Sequence, residues 1–546
     1  MILEYKFKYI SNNDYFISIL NNIVEKKNIS YKINKNNDYI FLYIEADEDK
    51  LLKISNQLSQ ELPMSIFLKD FTLEVVPQMV AKSYQHLVSP RLKKSYCSNC
   101  LHNIEDEEAD HFYNPFYNCD ICGTTCDVTN IKFLNDNKEL NFKNYKQLFE
   151  SLAFFISEGK KVKINTSRGG FVFKKINEKI NKETQLLCTN VNNISNLVVS
   201  SKLKTASLLS IEKPIVTFNI NAMIKSSNNL EIEKIDLVYA YDLILHLLSK
   251  ELEQYNINFL TYEQSDEFDS EFTYETKQPS QIFPKLKINE NKFFLLQNSD
   301  YEQRLTDLYK KFDEKSKGQF MVLLDENKLY EKSILNIYTS TKYDDNISLY
   351  SPKIDGMLDI LNFELPNTIS DIFNEIEKED KGERLLSNYK EKFPTIFLNA
   401  QGFQIFEHFQ TNSIFSLLKI ASIILGIDDI YDNANKALLQ KGPRIDYKLI
   451  DSEKIFNREF DMIKFIKSGI SFKLAGVDDK TLSLGYLESY IYFISDLIDK
   501  VNEEFPLDGI SFCGDFVAED IFNKTINEIF SNNLKIYNNK DFPIQL

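Results

Sequence analysis

The sequence has no tryptophan, few cysteines and no long apolar stretch, and these absences narrow the class of protein. Seven partly clustered cysteines in 546 residues are unlike a disulfide framework. The opening stretch, MILEYKFKYISNND, has no apolar segment long enough for a signal peptide. No run of about 18 apolar residues occurs, so the sequence predicts no membrane span. We therefore expect a cytoplasmic protein, whereas the missing tryptophan says nothing about function.

Positive charge is also scarce. The chain has 64 Lys and Arg against 80 Asp and Glu, which gives a formal net charge of −16, and no long basic run stands out. This balance predicts no specific nucleic-acid partner and no anionic membrane surface, although it leaves room for a local basic groove. The length predicts two to four domains, and a hydrophobic fraction of 43% can supply several cores.

Apolar spacing divides the chain into four parts. Residues 1–78 follow the order β-α-β-β-α-β, which predicts a ferredoxin-like sandwich. A cysteine-containing segment covers 79–135, and mixed α/β patterns continue through 136–285. The remainder, 286–546, combines strands with strongly apolar helices, which also indicates an α/β domain.

Two stretches within this plan have a local prediction of their own. QFMVLLDENK, at 319–328, has a short apolar run that we interpret as a strand. SDEFDSEFTYETKQPSQIFP, at 265–284, is polar, acidic and proline-containing, which predicts a loop or linker.

Four of the seven cysteines form two Cys-x-x-Cys pairs. Cys97 and Cys100 form the first pair, and Cys119 and Cys122 form the second after eighteen intervening residues. This spacing matches a four-thiolate zinc site, in which two knuckles complete a tetrahedron with each sulfur about 2.3 Å from the ion. Gly123 suits the positive φ that such a knuckle often needs. Four protein ligands leave no open position, so the predicted zinc is structural.

Other arrangements of these residues stay open. Cys126, His102 or His111 could replace one of the four thiolates. A redox-active pair is a further alternative, although a thioredoxin-like site needs a Cys-x-x-Cys that opens a helix after a strand. Cys188 and Cys513 are expected to be ordinary buried thiols.

The flanks of the cysteines resemble the zinc segment of the hydrogenase maturation carbamoyltransferases, the HypF type. That family has Tyr-x-Pro-Phe-x-Asn-Cys-x-x-Cys-Gly, and the same pattern stands here from Tyr113 to Gly123. Fainter similarities follow in the family's order at 158–173, 210–218, 240–264, 410–427 and 509–526.

The resemblance implies a fold and a set of domains. It implies a multidomain α/β chain with an acylphosphatase-like unit (1–78), a zinc-binding knuckle (79–135), a YrdC-like α/β domain (136–285) and a shortened actin-like carbamoyltransferase-type α/β domain (286–546). It also implies a chemistry in which carbamoyl phosphate is hydrolysed, the carbamate is adenylated with ATP, and the carbamoyl group passes to a cysteine of HypE for cyanide ligand synthesis. Each of these steps needs charge placed at a phosphate or a metal.

One of the family's phosphate-handling motifs lacks bare backbone and positive charge here, and a second lacks its usual lysine. YISNNDYFISIL, in place of the acylphosphatase Gly-x-Gly-x-x-Arg loop, has neither Gly nor Arg, and Asp14 would repel phosphate. Asn165 or Thr166 replaces the usual lysine of the YrdC-like Gly-Gly-Phe turn. Lys163 and Arg168 lie nearby and could partly substitute, while a plain hairpin turn is the alternative interpretation.

The remaining motifs are also altered. Tyr262 and Glu263 replace small residues of a family turn, and should crowd and charge a nucleotide pocket. The family's glycine-rich nucleotide loop corresponds to LLDENKLYEK, where only Asp325 is kept. Asp541 aligns with a metal-binding aspartate of the family, but bulky residues replace the glycines beside it, so we expect a solvated tail carboxylate.

Three hypotheses follow. The favoured one is a divergent family member with degraded catalytic motifs, which acts as a zinc-containing scaffold or accessory factor and has HypE or other hydrogenase maturation proteins as partners. The second is an active carbamoyltransferase that uses carbamoyl phosphate and ATP. The third is an unrelated zinc-knuckle binding protein. The sequence identifies no catalytic and no nucleotide-binding residue.

Overall fold

The structure, a computed structural model, describes residues 1–80, 95–124, 126–136, 138–176, 180–181, 184–227, 232–278, 284–289, 292–298, 301–354, 356–405, 407, 409–410, 412–437, 441–453, 456, 458–529 and 534–544. They belong to two units, Met1–Tyr301 and Glu302–Leu546. The predicted boundary at residue 286 therefore falls within the first unit, and the four-domain division stays a prediction.

The first unit begins with a four-stranded antiparallel sheet. Its elements are β1 (Ile2–Tyr9), α1 (Tyr15–Glu25), β2 (Ser30–Asn36), β3 (Tyr39–Glu45), α2 (Glu48–Glu61) and β4 (Leu68–Val76). The strand order is β2-β3-β1-β4. Alternate side chains of β1 are buried, which is typical of a sheet that is covered on one face. This order confirms the predicted ferredoxin-like sandwich.

A larger mixed sheet forms the rest of this unit. Its elements are α3 (Ser98–Glu105), β5 (Val128–Asn135), β6 (Lys138–Glu139), α4 (Tyr145–Ser157), β7 (Val162–Thr166), β8 (Gly169–Lys175), β9 (Gln185–Cys188), β10 (Val198–Val199), α5 (Lys202–Leu209), β11 (Ile215–Ile220), α6 (Ala222–Ser227), β12 (Lys234–Tyr239), α7 (Leu243–Leu252), β13 (Phe259–Glu263), β14 (Ser270–Thr276), β15 (Lys285–Asn289) and β16 (Lys292–Gln297). The order is β16-β15-β11-β12-β9-β13-β8-β7-β14-β5-β6, and β10 also pairs with β11.

The loop predicted for 265–284 is wrong in its central part. β14 lies there and pairs with β5 and β7 inside the mixed sheet, third from one end of the strand order. The strand alternates polar with aromatic residues, and Phe272 is fully buried. The acidic residues around it hid this period-two pattern, because overall polarity is a weaker signal than alternation.

The second unit is a five-stranded mixed sheet with helices. Its elements are α8 (Gln303–Tyr309), α9 (Lys315–Glu326), β17 (Ile334–Tyr338), β18 (Asn346–Tyr350), β19 (Met357–Leu361), α10 (Ile369–Lys378), α11 (Gly382–Lys392), α12 (Pro394–Gln401), α13 (Ile414–Leu425), α14 (Ile430–Ala434), β20 (Leu449–Asp451), β21 (Arg458–Phe460), α15 (Met462–Leu474), α16 (Asp479–Glu504), β22 (Gly509–Cys513), α17 (Asp520–Ile529) and β23 (Ile536–Tyr537).

Among the described strands of this unit, parallel pairing joins β17, β22 and β23. The strand order is β19-β18-β17-β22-β23, and β20 and β21 pair separately. β17 is parallel to β22, which is parallel to β23, and the connection from β22 to β23 carries α17, as expected for a strand-helix-strand unit. Of the helices that the structure describes, none is long and apolar enough to cross a membrane.

The strand predicted for 319–328 is wrong, because most of this stretch lies in α9. The residues of α9 are buried on almost every side of the helix, so its apolar run shows no clear helical period. A short apolar run of this kind fits a buried strand and a buried helix equally well. Gly318 lets the helix approach α8, since a Cβ there would lie 2.6 Å from the carbonyl oxygen of Tyr309.

Candidate metal centre and phosphate loops

The four predicted cysteine ligands come together in the first unit. Their sulfur atoms all lie within 4.8 Å of one another, and all four side chains are buried. The Sγ of Cys97 lies 3.8 Å from that of Cys100 and 3.7 Å from that of Cys119. The Sγ atoms of Cys100 and Cys122 are 3.6 Å apart.

These separations fit one tetrahedral metal ion. With sulfur about 2.3 Å from zinc, the edge of the tetrahedron is about 3.8 Å. The observed separations of 3.6 to 3.8 Å agree with that edge. A disulfide would instead need two sulfur atoms about 2.05 Å apart. The four thiols could therefore bind a metal, and four protein ligands would leave it no open position.

Local backbone structure sets each pair in place. Cys97 immediately precedes α3 and Cys100 lies in its first turn, so the first pair does open a helix. The second pair lies in a tight turn, in which the amide of Gly123 donates to the carbonyl of Cys119 over 2.8 Å. Gly123 has φ +67°, as predicted. Because the two pairs face each other, a metal-binding knuckle fits this arrangement better than a single redox pair.

The thiols influence one another strongly. Hydrogen bonds from Cys100 lower the pKa of Cys119 and lower that of Cys122 to about 7. Hydrogen bonds with Cys119 raise the pKa of Cys100. Burial raises the pKa of Cys126 to about 11, and this residue is not part of the four-sulfur cluster. His102 and His111 also lie outside the cluster that the structure describes.

The cysteine cluster lies at a junction within the first unit. The side-chain amide of Asn22, on α1, donates to the carbonyl of Ile121 over 2.9 Å. On the other side, Glu105 at the end of α3 lies 2.7 Å from Nε2 of His246 on α7. A metal there would hold the ferredoxin-like sheet and the mixed sheet to the same short segment.

The turn between β7 and β8 has the sequence resemblance to the YrdC-like domain. The amide of Ser167 donates over 2.8 Å to the carboxyl group of Asp242, which also accepts the amide of Leu245 at the start of α7. Burial raises the pKa of Asp242. The hydroxyl of Thr166 lies 2.9 Å from that of Tyr241. The amide of Ser167 and the hydroxyl of Thr166, which could otherwise bind a phosphate, thus already have hydrogen-bond partners within the chain.

The two cations beside this turn also bond to backbone. Arg168 is buried, donates to the carbonyls of Lys213 and Glu212 at 2.9 and 3.0 Å, and stacks 4.3 Å from the Tyr241 ring. The Lys213 ammonium donates to the carbonyl of Leu209 over 2.8 Å, and burial lowers its pKa to about 7. Both positive groups are therefore directed towards carbonyl oxygens.

Two other residues at these motifs of the first unit, Lys163 and Tyr262, also contact the chain itself, one in an ion pair and the other in aromatic packing. Lys163 forms an ion pair with Glu271 at 3.2 Å. The Tyr262 ring is buried, and its centre lies 5.5 Å from that of Phe171 and 5.8 Å from that of Phe173. Where the sequence predicts a crowded pocket, the structure has a packed aromatic face.

The loop between β1 and α1 is closed in a similar way. Asp14 is buried and lies 3.9 Å from the ammonium of Lys35, which donates to the carbonyl of Asn13 over 2.9 Å. The hydroxyl of Tyr9 donates to the side chain of Asn13 over 2.7 Å. The loop that corresponds to the acylphosphatase motif thus ends at a buried aspartate, which precedes α1.

A further loop lies at the carboxyl ends of β17 and β22, the place where open α/β sheets bind ligands. The carboxyl group of Asp345 accepts the amides of Ser340 and Ile414 at 2.8 and 2.6 Å. The carboxylate of Asp515 accepts the amide of Thr341 over 2.8 Å and also its hydroxyl. Burial raises the pKa of Asp345 well above its usual value. The amides of Ser340, Thr341 and Ile414 at this sheet end are therefore occupied by carboxyl groups.

Sequence reasoning found the similarity at 509–526, which includes Asp515, but missed the segment after β17 and placed Asp325 in its role. Asp325 lies on α9, where it accepts from Arg304 over 2.6 Å and from the hydroxyl of Tyr330 over 3.1 Å. The available signal was the polar run TSTKYDDN between two apolar strands, which is typical of a strand-connecting loop. The error followed from the incorrect strand predicted on α9.

The expected solvated carboxylate of Asp541 is wrong as well. Its residue is 2% exposed and lies beside the buried side chain of Glu326. Glu326 accepts the amides of Asp541 and Phe542, both at 2.8 Å, and so holds the C-terminal segment against α9. Burial, together with Asp541, raises the pKa of Glu326 to about 7.

Comparisons with known proteins give likenesses over the whole chain. No family model matches. Protein HydE of Wolinella succinogenes is 22% identical over 578 residues, which cover 100% of this chain and 99% of that protein. The crystal structure of full-length HypF in the phosphate- and nucleotide-bound form superposes with a TM-score of 0.64 at 11% identity, over 100% of this chain and 96% of that one. HypF of T. kodakarensis gives the same TM-score and coverage at 10% identity.

The chain therefore has the HypF fold along its whole length. The predicted multidomain α/β class and the resemblance to the HypF type are confirmed at the level of fold. Sequence identities of 11% and 10% establish a shared fold and not a shared reaction, so the chemistry depends on the side chains that are present.

Proposed function

We propose that this chain, built on the HypF fold, is a divergent HypF-like protein of [NiFe] hydrogenase maturation that acts as a zinc-containing scaffold or accessory factor. Its four cysteines hold a structural zinc ion, and HypE or a hydrogenase precursor is its partner, in the cytoplasm. The four-domain division suggested by the sequence is part of the same proposal. The fold and the likeness to HydE support this family context.

One observation carries the non-catalytic part of the proposal. At the carboxyl ends of β17 and β22, Asp345 and Asp515 accept the amides of Ser340 and Thr341 that an incoming phosphate would need. A phosphate that bound these two amides would have to break their hydrogen bonds to the carboxyl groups. Its negative charge would then lie close to a negatively charged carboxylate. The same closure, by Asp242 on Ser167, recurs in the first unit.

Calorimetric titration of the full chain with Mg·ATP tests this proposal. We expect no binding tighter than about 1 mM and no pyrophosphate exchange in the presence of carbamoyl phosphate, since each loop would first have to open. Micromolar ATP binding that changes in Asp515→Asn but not in Asp325→Asn would locate an active nucleotide site at the sheet end. That result, or carbamoylation of HypE, would replace the scaffold by the active carbamoyltransferase alternative.

The partner is tested separately. Pull-down with purified HypE and with a hydrogenase precursor should retain at least one of them at physiological salt. If the chain retains neither, while zinc is present in stoichiometric amount, a role outside hydrogenase maturation for a chain of the same fold becomes the better description.

A further inference from the structure

Three strands of the second unit each have a polar residue at their central position. Asn336 is the central residue of ILNIY in β17, Ser348 of NISLY in β18 and Ser511 of GISFC in β22. All three side chains are fully buried. A polar group in such a core is costly unless it is hydrogen-bonded, so the donors and acceptors of these residues need partners.

The three residues form one polar row across the sheet. Asn336 lies directly opposite Ser348 on one side and Ser511 on the other, and Asp359 of β19 continues the row beyond Ser348. Paired residues share a face of a sheet, and the Cβ atoms of direct antiparallel partners lie about 5 Å apart. Asn346, two residues before Ser348, lies on the same face and is also buried.

The helix α9 lies over this polar row. Ile334, two residues before Asn336 on the same face of β17, belongs to one hydrophobic cluster with Phe320 of α9. The ammonium of Lys317, in the first turn of α9, lies 3.3 Å from the carboxylate of Asp359. The row therefore lies between the sheet and α9, with this ion pair at its β19 end.

Two asparagine amides on this face each use one end in a hydrogen bond and leave the other end over. The Oδ1 of Asn336 accepts the hydroxyl of Ser511 over 2.8 Å, so its Nδ2 is turned away from β22. The Nδ2 of Asn346 donates to the carboxylate of Asp359 over 3.0 Å, so its Oδ1 is turned away from β19. Among the described residues, neither of these two remaining atoms has a hydrogen-bond partner. Both are directed towards the interval between β17 and β18.

Ser348 lies at the same interval, and its buried Oγ likewise has no partner within the described part of the chain. A group that satisfies all three atoms must accept from the Nδ2 of Asn336 and donate to the Oδ1 of Asn346. A metal ion can do neither. A water molecule can do both and has a further hydrogen for Ser348, and buried waters typically make about three hydrogen bonds to polar groups of this kind.

We propose that the second unit binds one internal water molecule between β17 and β18. The water accepts from the Nδ2 of Asn336 and donates to the Oδ1 of Asn346 and the Oγ of Ser348. Side-chain hydrogen bonds then run without a break across β22, β17, β18 and β19, and reach α9 through the ion pair of Asp359 with Lys317. Such a network favours one register of these strands, because a shifted strand would leave its buried polar groups unsatisfied. The proposal is independent of whether any loop binds ATP or phosphate.

A high-resolution crystal structure of the full chain tests the water site directly. We expect one peak of electron density within about 2.7–3.2 Å of the Nδ2 of Asn336, the Oδ1 of Asn346 and the Oγ of Ser348. Absence of a peak at this position would overturn the proposal. A peak about 2.3–2.6 Å from three oxygen atoms, with the amide of Asn336 reversed, would also overturn it, because such short distances identify a cation.

Two serine variants test the water in solution through native-state hydrogen exchange of the full chain. Ser348→Ala removes one partner of the water, so the opening constant measured at the amides of β18 should rise by about tenfold. Ser249, on α7, is also buried, and its hydroxyl has no partner among the described residues. Ser249→Ala should not raise the opening constant of α7, because loss of a hydroxyl that bonds to nothing removes no hydrogen bond and alanine favours a helix. No rise in Ser348→Ala, or an equal rise in both variants, would overturn the proposal.

Discussion

Replacement of a single cysteine tests the metal centre most directly. We expect Cys122→Ser to lose its zinc during dialysis against a weak chelator and Cys126→Ser to keep it. The Sγ of Cys122 lies 3.6 Å from that of Cys100, at the edge length of a zinc tetrahedron, whereas Cys126 lies outside the cluster. The control variant removes the only other cysteine of the segment, so it isolates geometry from cysteine content.

The size of the effect follows from the number of ligands. A structural zinc site is worth about 10–16 kcal/mol at neutral pH, so one of four thiolates accounts for about 3–4 kcal/mol. Zinc affinity should therefore fall by about 100- to 1,000-fold. The wild-type chain should contain one zinc ion, and its X-ray absorption spectrum should fit four sulfur atoms at about 2.3 Å.

Three results would refute this reasoning. Wild-type protein purified with zinc but containing less than about one tenth of an ion would show that the cluster is not a metal site. Loss of zinc in Cys126→Ser would show that the described set of four is incorrect. A spectrum with nitrogen in the first coordination sphere would require His102 or His111 as a ligand.

The remaining predictions concern the second unit. Gly514→Ala should destabilise the chain by more than about 2 kcal/mol, since its Cβ would lie 2.0 Å from the carbonyl oxygen of Thr339; Gly476→Ala, with the same φ of +87° and open space, should cost only about 1 kcal/mol in chemical denaturation. Protection of the Asp541 amide against hydrogen exchange should fall as the pH rises from about 4.5 to 7. The reason is that the pKa of Glu326 is about 7 in the folded chain and about 4.5 in the unfolded chain. The free energy of opening measured at this amide should fall by about 3 kcal/mol, and by less in Asp541→Asn. An opening free energy that does not change over this pH range would contradict the prediction.

Local periodicity and spacing predicted a large part of the structure. The cysteine pairs could be found because each knuckle lies within four residues, and the sulfurs converge wherever two knuckles meet. Gly123 was predicted for the same reason, since its positive φ is a property of one short turn. The ferredoxin-like sheet followed from alternation and helical spacing within 76 residues, although only β2 and β3 pair as sequence neighbours, whereas β1 pairs with β3 and β4.

Elements without a clean period were beyond such reasoning. α9 is buried nearly all round, so its sequence shows no amphipathic stripe to separate a helix from a strand. β14 is an internal strand whose acidic flanking residues resemble a loop, and its partners β5 and β7 lie far away in the chain. In both cases burial by distant elements decided the conformation.

The sequence by itself determined that this chain has two cysteine knuckles, a ferredoxin-like beginning and a stretch at 9–20 without glycine or arginine. Only the tertiary structure decided which groups the loops at these motifs contact. Asp242 bonds to Ser167 across 75 residues, and Asp515 to Thr341 across 174. These hydrogen bonds form because the folded chain brings a carboxyl group next to the amides of a distant loop. The spacing of residues in the sequence does not predict which distant residues become neighbours.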